Sequence, residues 1–365
     1  MFTCSTLHKF TPRSLYSLSR ASTLCRGETA MMRGLLLFAL ICALGCSEDT
    51  SSTSSSGESS DSGSMTVRDA EPATITDARP EMARDVGPMI DPDASVERTT
   101  QGLNSLYMGH SYFRRQAEAM VDFAETAGIE GHRSTSFFRG GYNGSAFAIW
   151  EDSESQATIQ GYLDAGDVEM FGMTIFVDPE ADVNDGAHID NQTQGIKSWI
   201  EYAIAQNPDT IFFVALPWLG RPLQYVGETG DPQTSGHEEY REVILQSEVG
   251  IRALIDELRD TFVDSEIFLL AYGQGSVELR TLYNQGNLPD VDTLVSGDGL
   301  LGIHRDTHGH AEQMLTDLNT LIWLESIYDY NVLNFEEEFP YETDIKEIAH
   351  DVAKRQHADY IRQFD

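Results

Sequence analysis

The feature that most constrains the fold is a regular alternation of short apolar runs and helical patterns from about residue 102 to the end of the chain. The apolar runs have the length of buried strands, and apolar residues recur at helical spacing between them. Units of this kind build a parallel sheet that helices cover on both faces. The sequence therefore predicts an α/β protein, a three-layer α/β/α sandwich with a central parallel sheet of the flavodoxin-like type.

The predicted elements fill one domain, residues 101–365, without an internal repeat at solenoid periods. The predicted strands are Leu103–Gly109, 131–138, Glu169–Val177, Thr210–Leu216 and Glu266–Ala271. The predicted helices are Arg114–Ala127, 154–165, Ile189–Gln206, Glu238–Phe262, 275–286, 311–328 and 344–363.

The residues before this domain predict an anchor and a tether. Residues 31–46 have a basic start, a short apolar run and a terminal Gly-Cys, which resembles a bacterial lipoprotein signal peptide with Cys46 as the lipidated residue. An uncleaved amphipathic anchor is the alternative. Residues 47–100 are rich in Ser, Thr and Asp and lack the apolar surface needed for a core, so we expect a disordered linker. Residues 1–30 are expected to be a mis-annotated extension upstream of the true start.

Composition excludes several functions. All four cysteines lie within the first 46 residues, so the predicted domain has no disulfide, thiolate zinc site or cysteine nucleophile. The formal net charge is −35, from 59 acidic and 24 basic residues, which argues against a nucleic-acid partner. The expected environment is extracytoplasmic, with the domain held at the bacterial cell envelope through its N-terminal lipid.

The end of the first predicted strand carries the sequence Gly109-His110-Ser111. A serine at this junction has its hydroxyl at the carboxyl edge of the sheet, where open α/β sheets place their ligands. Its N–H would lie at a helix N-terminus, where negative charge is stabilised. Ser111 is therefore a candidate nucleophile. The alternative is that Ser111 only caps the helix, a common role for serine.

Polar groups also follow later strands of the predicted sheet. Residues 139–144 form a glycine-rich turn after the second strand, and backbone N–H groups of such a turn can face an oxyanion. Residues 304–310 contain three histidines and Asp306 before a C-terminal helix. An imidazole base and an orienting carboxylate are what a serine nucleophile requires. Alternate residues of an extended segment share a face, so metal binding by His304, Asp306, His308 and His310 is the alternative.

A Gly-x-Ser after the first strand, a glycine turn after the second and an Asp followed by His before the last helix resemble the SGNH (GDSL-like) hydrolases. The resemblance covers about residues 103–330. It implies Ser111 as nucleophile, a late histidine as base and Asp306 as the carboxylate that assists it. It further implies an oxyanion hole formed by the N–H groups of Ser111 and Gly141, or Gly144, and by an asparagine side chain of a third block.

The sequence departs from the family pattern in the first, third and last of these blocks. His110 stands where the family has Asp or Asn, and the third block, taken as residues 215–218, has no asparagine, which makes Asn143 a candidate donor. The spacing from Asp306 fits neither His308 nor His310. We prefer His310 as the base because it follows a glycine at the mouth of the helix, with His308 as the second candidate.

Together these features predict an extracytoplasmic serine esterase or acyl hydrolase without a cofactor. Its substrate would be a small-molecule, glycan or lipid ester, such as an acetyl ester. One alternative is a catalytically inactive SGNH-fold binding module that uses Trp150, Trp218 and Tyr225. The other is a metal-dependent hydrolase built on residues 304–310.

Overall fold

The computed structural model of the protein describes residues 101–177, 186–225 and 236–364. The predicted extension, the signal peptide with Cys46 and the linker lie outside the described residues. Of the helices in the described ranges, none combines the length and the apolar character that crossing a membrane requires.

The described chain alternates strands and helices. The strands are β1 Asn104–Gly109, β2 Arg133–Phe138, β3 Met170–Thr174, β4 Ile211–Ala215, β5 Ile267–Leu270, β6 Thr293–Val295 and β7 Gly302–His304. The helices are α1 Ser111–Thr126, α2 Ala146–Glu151, α3 Ser153–Leu163, α4 Gly186–Gln206, α5 His237–Thr261, α6 Gln274–Asn284, α7 Gln313–Tyr328 and α8 Ile345–Arg355. Short 3-10 helices span Gly141–Gly144, Pro222–Gln224 and Val332–Asn334.

Five strands form one parallel sheet in the order β2-β1-β3-β4-β5. β1 pairs with β2 on one side and with β3 on the other, so β1 lies inside the sheet. Sequential strands step outward from β1 in both directions, and the carboxyl ends on either side of β1 form the crevice where open sheets bind ligands. β6 and β7 form a separate parallel pair that the sequence did not predict.

Alternate side chains of each strand enter two apolar cores, one on each face of the sheet. Tyr107 and Phe213 face a core shared with α1, α6, α7 and α8. Leu106 and Phe212 face the opposite core, shared with α2, α3, α4 and the C-terminal part of α5. The predicted three-layer α/β/α class with a central parallel sheet is therefore confirmed.

Gly172 in β3 shows how closely the first core is packed. A Cβ on Gly172 would lie 2.1 Å from the ring of Phe213. The absence of a side chain at Gly172 lets that ring lie over β3, where it packs 5.5 Å from the buried ring of Trp323 in α7. This packing fixes α7 against the sheet, and α7 directly follows residues 304–310.

Candidate active site

Ser111 is the first residue of α1, and His110 is the residue that caps the helix. The Nδ1 atom of His110 accepts the N–H of Tyr112 at 3.3 Å, and its Nε2–H donates to the carbonyl O of Ile175 at 2.9 Å. The capping alternative for Ser111 is therefore wrong. Its hydroxyl is free of the capping role, and its N–H lies at the N-terminus of α1, where helix N–H groups lack partners within the helix.

His110 is neutral because it is buried. Burial lowers the pKa of the imidazole to about 4, and the hydrogen bond to Ile175 opposes that shift only in part. The neutral ring keeps one acceptor and one donor, and both are used in the contacts above. His110 thus joins the end of β1 to the end of β3 without placing a charge beside Ser111.

Ser111 and His310 lie within hydrogen-bond distance although 199 positions separate them in the chain. The Ser111 Oγ is 2.9 Å from the His310 Nε2, and the His310 Nδ1 is 2.7 Å from the Asp306 Oδ2. With Nδ1–H donating to the carboxylate, Nε2 is left as the acceptor that faces the serine hydroxyl. The order hydroxyl, imidazole and carboxylate is the arrangement used in acyl transfer.

Asp306 also organises the loop that carries His310, residues 305–310, here called the base loop. The second carboxylate oxygen, Oδ1, accepts the N–H groups of His308, Gly309 and His310 at 3.1, 3.1 and 3.2 Å. Partial burial opposes ionisation of Asp306, but its hydrogen bonds with the side chain and backbone of His310 outweigh that effect and leave its pKa below the ordinary value. The carboxylate is therefore ionised at neutral pH.

Gly309 explains why His310, at an unusual spacing from Asp306, reaches the serine. Its φ of +94° is in the left-handed region, which turns the chain between the two candidate histidines. The carbonyl O of Gly309 accepts the buried indole N–H of Trp218 at 2.7 Å and the Nδ1–H of His304 at 3.1 Å. These two hydrogen bonds fix the turn at Gly309, which places the imidazole of His310 beside Ser111.

His308 lies at the rim of the same cavity and does not pair with Ser111. Its ring is 6.2 Å from that of His310, and its side chain is exposed. The carbonyl O of His308 accepts the hydroxyl of Tyr112 and, at 2.9 Å, the N–H of Arg221. The structure therefore brings His310, and not His308, to the serine.

The three predicted oxyanion donors that follow β2, namely Gly141, Gly144 and Asn143, differ in their surroundings. Gly141 lines the cavity with Ser111 and begins the 3-10 helix, so its N–H has no acceptor within that helix. Gly144 is packed against backbone, where an added Cβ would lie 2.6 Å from the carbonyl O of Gly109. Asn143 is exposed and is not among the described residues that line the cavity. The first of these positions fits an oxyanion donor best.

On the side away from β2, the strand next to β1 is β3, whereas the predicted third block, residues 215–218, belongs to the end of β4, one strand further away. Residues 175–177 follow β3 and lie next to the serine, with Phe176 and Val177 lining the cavity. Gln192 holds this segment by accepting the N–H of Phe176 at 2.6 Å and donating to its carbonyl O at 3.0 Å. Because the described part of this segment contains no asparagine, its side chains supply no amide donor.

The cavity at this edge of the sheet has a volume of about 250 Å³ and contains Ser111 and His310 in its lining. Sequence reasoning did not identify Arg221, Gln224 or Tyr112, which also line it. The available signal for Arg221 was the sequence Gly-Arg-Pro shortly after the fourth strand, a turn pattern at the edge that carries ligands.

The structure gives no support to a metal centre at residues 304–310. His304 is buried, its imidazole donates to Gly309, and burial lowers its pKa to about 3. Asp306 is engaged with His310 and the base loop. In the described ranges, no three or more His, Cys, Asp or Glu side chains are grouped so as to hold a metal ion.

Of the three aromatic residues predicted for a binding module, Trp218 is buried and the other two are half-buried. Trp218 is 1% exposed and stacks on Tyr112 at 5.1 Å between ring centroids. Trp150 is half-buried and packs 4.7 Å from the ring of Trp199. Tyr225 is the one of the three that lines the cavity. His310, whose spacing from Asp306 differs from the family pattern, lies within hydrogen-bond distance of Ser111. A main argument for an inactive module is therefore removed.

No family model matches the sequence, and no curated protein matches it. Several solved structures are similar. A DUF4886 family protein from Bacteroides uniformis has 11% identity and a TM-score of 0.46, with 70% of this chain and 96% of that chain covered.

Two further structures have 12% identity and cover 62% of this chain. A GDSL-like lipase from Parabacteroides merdae, covered over 95% of its length, has a TM-score of 0.36. The periplasmic domain of a lipopolysaccharide acetyltransferase from Salmonella ser. Paratyphi A, covered over 84%, has a TM-score of 0.37. A protein described as a GDSL-like lipase is thus among the solved structures to which this chain is similar. Similarity at this level does not assign an activity.

Proposed function

We propose that this protein is a divergent serine esterase or acyl hydrolase of the SGNH type. The observation that carries the proposal is the continuous hydrogen-bonded path from the Ser111 hydroxyl through His310 to Asp306, with distances of 2.9 and 2.7 Å. The path opens into a cavity at the carboxyl edge of a parallel sheet. An activated serine in a ligand-sized crevice is the requirement for acyl transfer.

In the proposed reaction, the Oγ of Ser111 attacks the carbonyl carbon of an ester while the Nε2 of His310 takes the hydroxyl proton. The tetrahedral oxyanion accepts hydrogen bonds from the N–H groups of Ser111 and Gly141. Collapse breaks the bond between the carbonyl carbon and the leaving oxygen, and His310 returns the proton to the departing alcohol. A water molecule then attacks the acyl-serine by the same route and releases a carboxylic acid.

Asp306 has two roles in this proposal. Its Oδ2 atom keeps the proton of His310 on Nδ1, so that Nε2 remains a base, and it stabilises the imidazolium that forms. Its Oδ1 atom holds the backbone of the base loop through three N–H groups. The same carboxylate therefore sets both the tautomer and the position of the imidazole.

The substrate is proposed to be an acyl ester of a small molecule, glycan or lipid, hydrolysed outside the cytoplasm. The location rests on the sequence of residues 31–46, with Cys46 as the lipid-bearing residue. In a bacterial host given alkyne-tagged palmitate, the wild-type chain should incorporate the tag and the Cys46→Ala variant should not. Equal incorporation by both chains would contradict the anchor.

The activity is tested with 4-nitrophenyl acetate and butyrate. Ser111→Ala and His310→Ala should each lower kcat/KM by at least about 1,000-fold, because each removes one member of a unit that acts together. His308→Ala should lose far less, since His308 does not contact the serine. His357→Ala, which changes an exposed histidine near the C-terminus, is the matched control. Full activity of Ser111→Ala would reject the proposal.

A further inference from the structure

The side chain of Tyr112 connects the helix that carries the nucleophile to the loop that carries the base. Tyr112 directly follows Ser111 in the first turn of α1 and lines the same cavity. Its hydroxyl donates to the carbonyl O of His308, 196 positions away in the chain. Because His308 belongs to the base loop, this hydrogen bond joins the start of α1 to the segment that presents His310.

A second aromatic side chain binds the same loop one residue further along the chain. The ring of Trp218 stacks on that of Tyr112, with 5.1 Å between the centroids and 21° between the planes. Its indole N–H donates to the carbonyl O of Gly309 at 2.7 Å. These two rings, here called the aromatic clamp, therefore bind the carbonyl oxygens of two successive residues. The next residue is His310, so the clamp fixes the backbone that directly precedes the base.

The aromatic clamp is itself held by the central sheet. The carbonyl O of Tyr112 accepts the hydroxyl of the buried Tyr272, which follows β5, at 3.2 Å. Trp218 follows β4 and packs edge-on against Tyr272, with 5.8 Å between the ring centroids. The ring of Tyr112 also contacts the imidazole of His310 edge-on at 5.4 Å. Side chains that are fixed by packing in this way can hold a reactive group in a precise geometry.

The hydroxyl of Tyr112 is a hydrogen-bond donor and not a second base. Burial raises the pKa of this phenol, and the negative charge of Asp306 acts in the same direction. The hydroxyl is therefore protonated at neutral pH. The carbonyl O of His308 also accepts the N–H of Arg221 at 2.9 Å, so it keeps a partner when the phenol is removed. Loss of the hydroxyl should then loosen the base loop without leaving an unpaired buried acceptor.

From these contacts we infer that Tyr112 is a positioning residue, which sets the distance between Ser111 and His310 by holding the base loop. The inference rests on the proposed function, because it concerns the geometry of that reaction. Tyr112 acts through the backbone of the loop and takes no proton from the serine. A displacement of the imidazole by about 1 Å should slow proton transfer by about 100-fold, because the donor and acceptor must lie within hydrogen-bond distance.

Gly220 allows the same hydrogen bond to be broken while Tyr112 stays unchanged. A Cβ on Gly220 would lie 2.8 Å from the hydroxyl O of Tyr112 and 3.3 Å from the carbonyl O of His308. The methyl group of Gly220→Ala should therefore push the phenol away from its acceptor. In a chain that also carries Tyr112→Phe, the hydroxyl is gone and there is no bond left to break. The effects of the two substitutions should accordingly not add.

The test measures the hydrolysis of 4-nitrophenyl acetate by the full chain. Tyr112→Phe and Gly220→Ala should each lower kcat by about 10- to 100-fold, because a misplaced base slows the chemical step. In Tyr112→Phe, KM should stay within about twofold of the wild type, since the ring that lines the cavity is retained. The double variant should be no slower than the slower single variant. Urea denaturation of each variant separates lost activity from lost folding, and Gly220→Ala decides the test if Tyr112→Phe does not fold.

Tyr202→Phe is the matched control, because its hydroxyl donates to the side chain of Asp164 at 2.6 Å and Tyr202 is not among the described residues that line the cavity. It should hydrolyse the ester at the wild-type rate. Proton NMR gives a readout that a purely structural role would leave unchanged. The low-field signal of the His310 Nδ1–H, identified by its loss in His310→Ala, should broaden in Tyr112→Phe and not in Tyr202→Phe.

The inference is overturned if either kcat or this proton signal is unchanged in Tyr112→Phe. It is also overturned if Tyr202→Phe loses as much activity, or if the double variant shows the product of the two single losses. Failure of the proposed function has a different result. In that case the wild-type chain itself would hydrolyse no ester, and Ser111 would not react with a fluorophosphonate.

Discussion

Substitution of Asp306 should separate catalysis from stability, because the two oxygens of its carboxylate have different hydrogen-bond partners. Oδ2 pairs with the ring of His310 at 2.7 Å, whereas Oδ1 accepts three backbone N–H groups at 3.1 to 3.2 Å. In Asp306→Asn, the amide oxygen can keep the three backbone bonds. The amide NH₂ then faces Nδ1 as a donor, which leaves the ring proton on Nε2 and removes the base from Ser111.

The expected loss is large in rate and small in stability. Forcing the wrong tautomer costs about 10⁴-fold in kcat in a serine hydrolase triad, equivalent to about 5 kcal/mol of transition-state stabilisation. Asp306→Asn should unfold at nearly the same denaturant concentration as the wild type. Asp306→Ala loses the backbone bonds as well, and since the Asp306 side chain is 37% exposed we expect a destabilisation of only about 2 kcal/mol.

The assay combines urea denaturation with the hydrolysis of 4-nitrophenyl butyrate and the rate of fluorophosphonate labelling. Asp298→Asn is the matched control, because Asp298 is exposed between β6 and β7 and asparagine tolerates its φ of 51°. An Asp306→Asn variant that retains activity within about tenfold of the wild type would refute the role of the carboxylate in setting the tautomer. An Asp306→Ala variant as stable as the wild type would refute its role in the base loop.

Two further predictions concern stability. Burial lowers the pKa of His110 from 6.5 in the unfolded chain to about 4 in the folded chain. As the pH falls from 6.5 to 4, the imidazole of the unfolded chain binds a proton that the folded chain does not bind, so the free energy of unfolding decreases. The His110→Asn variant keeps a capping oxygen but has no group that titrates here. Between pH 7 and pH 4, its free energy of unfolding in urea denaturation should decrease by about 3 kcal/mol less than that of the wild type. An equal decrease in both proteins would contradict the argument from burial. Gly172→Ala should lower stability by about 1–3 kcal/mol, because the new Cβ would lie 2.1 Å from the ring of Phe213. The control Gly161→Ala lies in α3 with no heavy atom within 4 Å of the added Cβ, and thermal unfolding should show no loss there.

The order of elements in the central sheet could be predicted because strands and helices carry different periodicities. Each of its five strands was predicted within a few residues of its observed bounds. The short helix α2 and the pair β6 and β7 were missed. α2 has only six residues, too few for a helical period to be recognised, and it depends on contacts such as the 2.9 Å bond from the Trp199 indole N–H to the carbonyl O of Ala146.

The start of α1 shows where local rules fail. The sequence pattern predicts a helix from Arg114 with Ser111 as a possible cap, whereas the helix starts at Ser111 and is capped by His110. Histidine is not a favoured capping residue, and its role here depends on a second bond to Ile175, which directly follows the neighbouring strand β3. A tertiary contact of this kind has no signature in the sequence around residue 110.

The choice between two histidines also depended on tertiary structure. The spacing from Asp306 favoured neither His308 nor His310, and His310 was preferred only because it follows a glycine at the mouth of the helix. The decision comes from the left-handed turn at Gly309 and from the Trp218 indole that holds its carbonyl. Trp218 was a binding residue in the alternative of an inactive module, but it is buried and stacks on the ring of Tyr112, which composition could not reveal.

The measurement that tests the central claim most directly is fluorophosphonate labelling of the full chain, followed by peptide mapping with mass spectrometry. The account predicts one adduct, on Ser111, that is lost in His310→Ala, retained in His308→Ala and unaffected by EDTA. An adduct on another residue, or an unlabelled Ser111 in a chain that binds or hydrolyses esters, would contradict the claim that Ser111, His310 and Asp306 form the reactive unit.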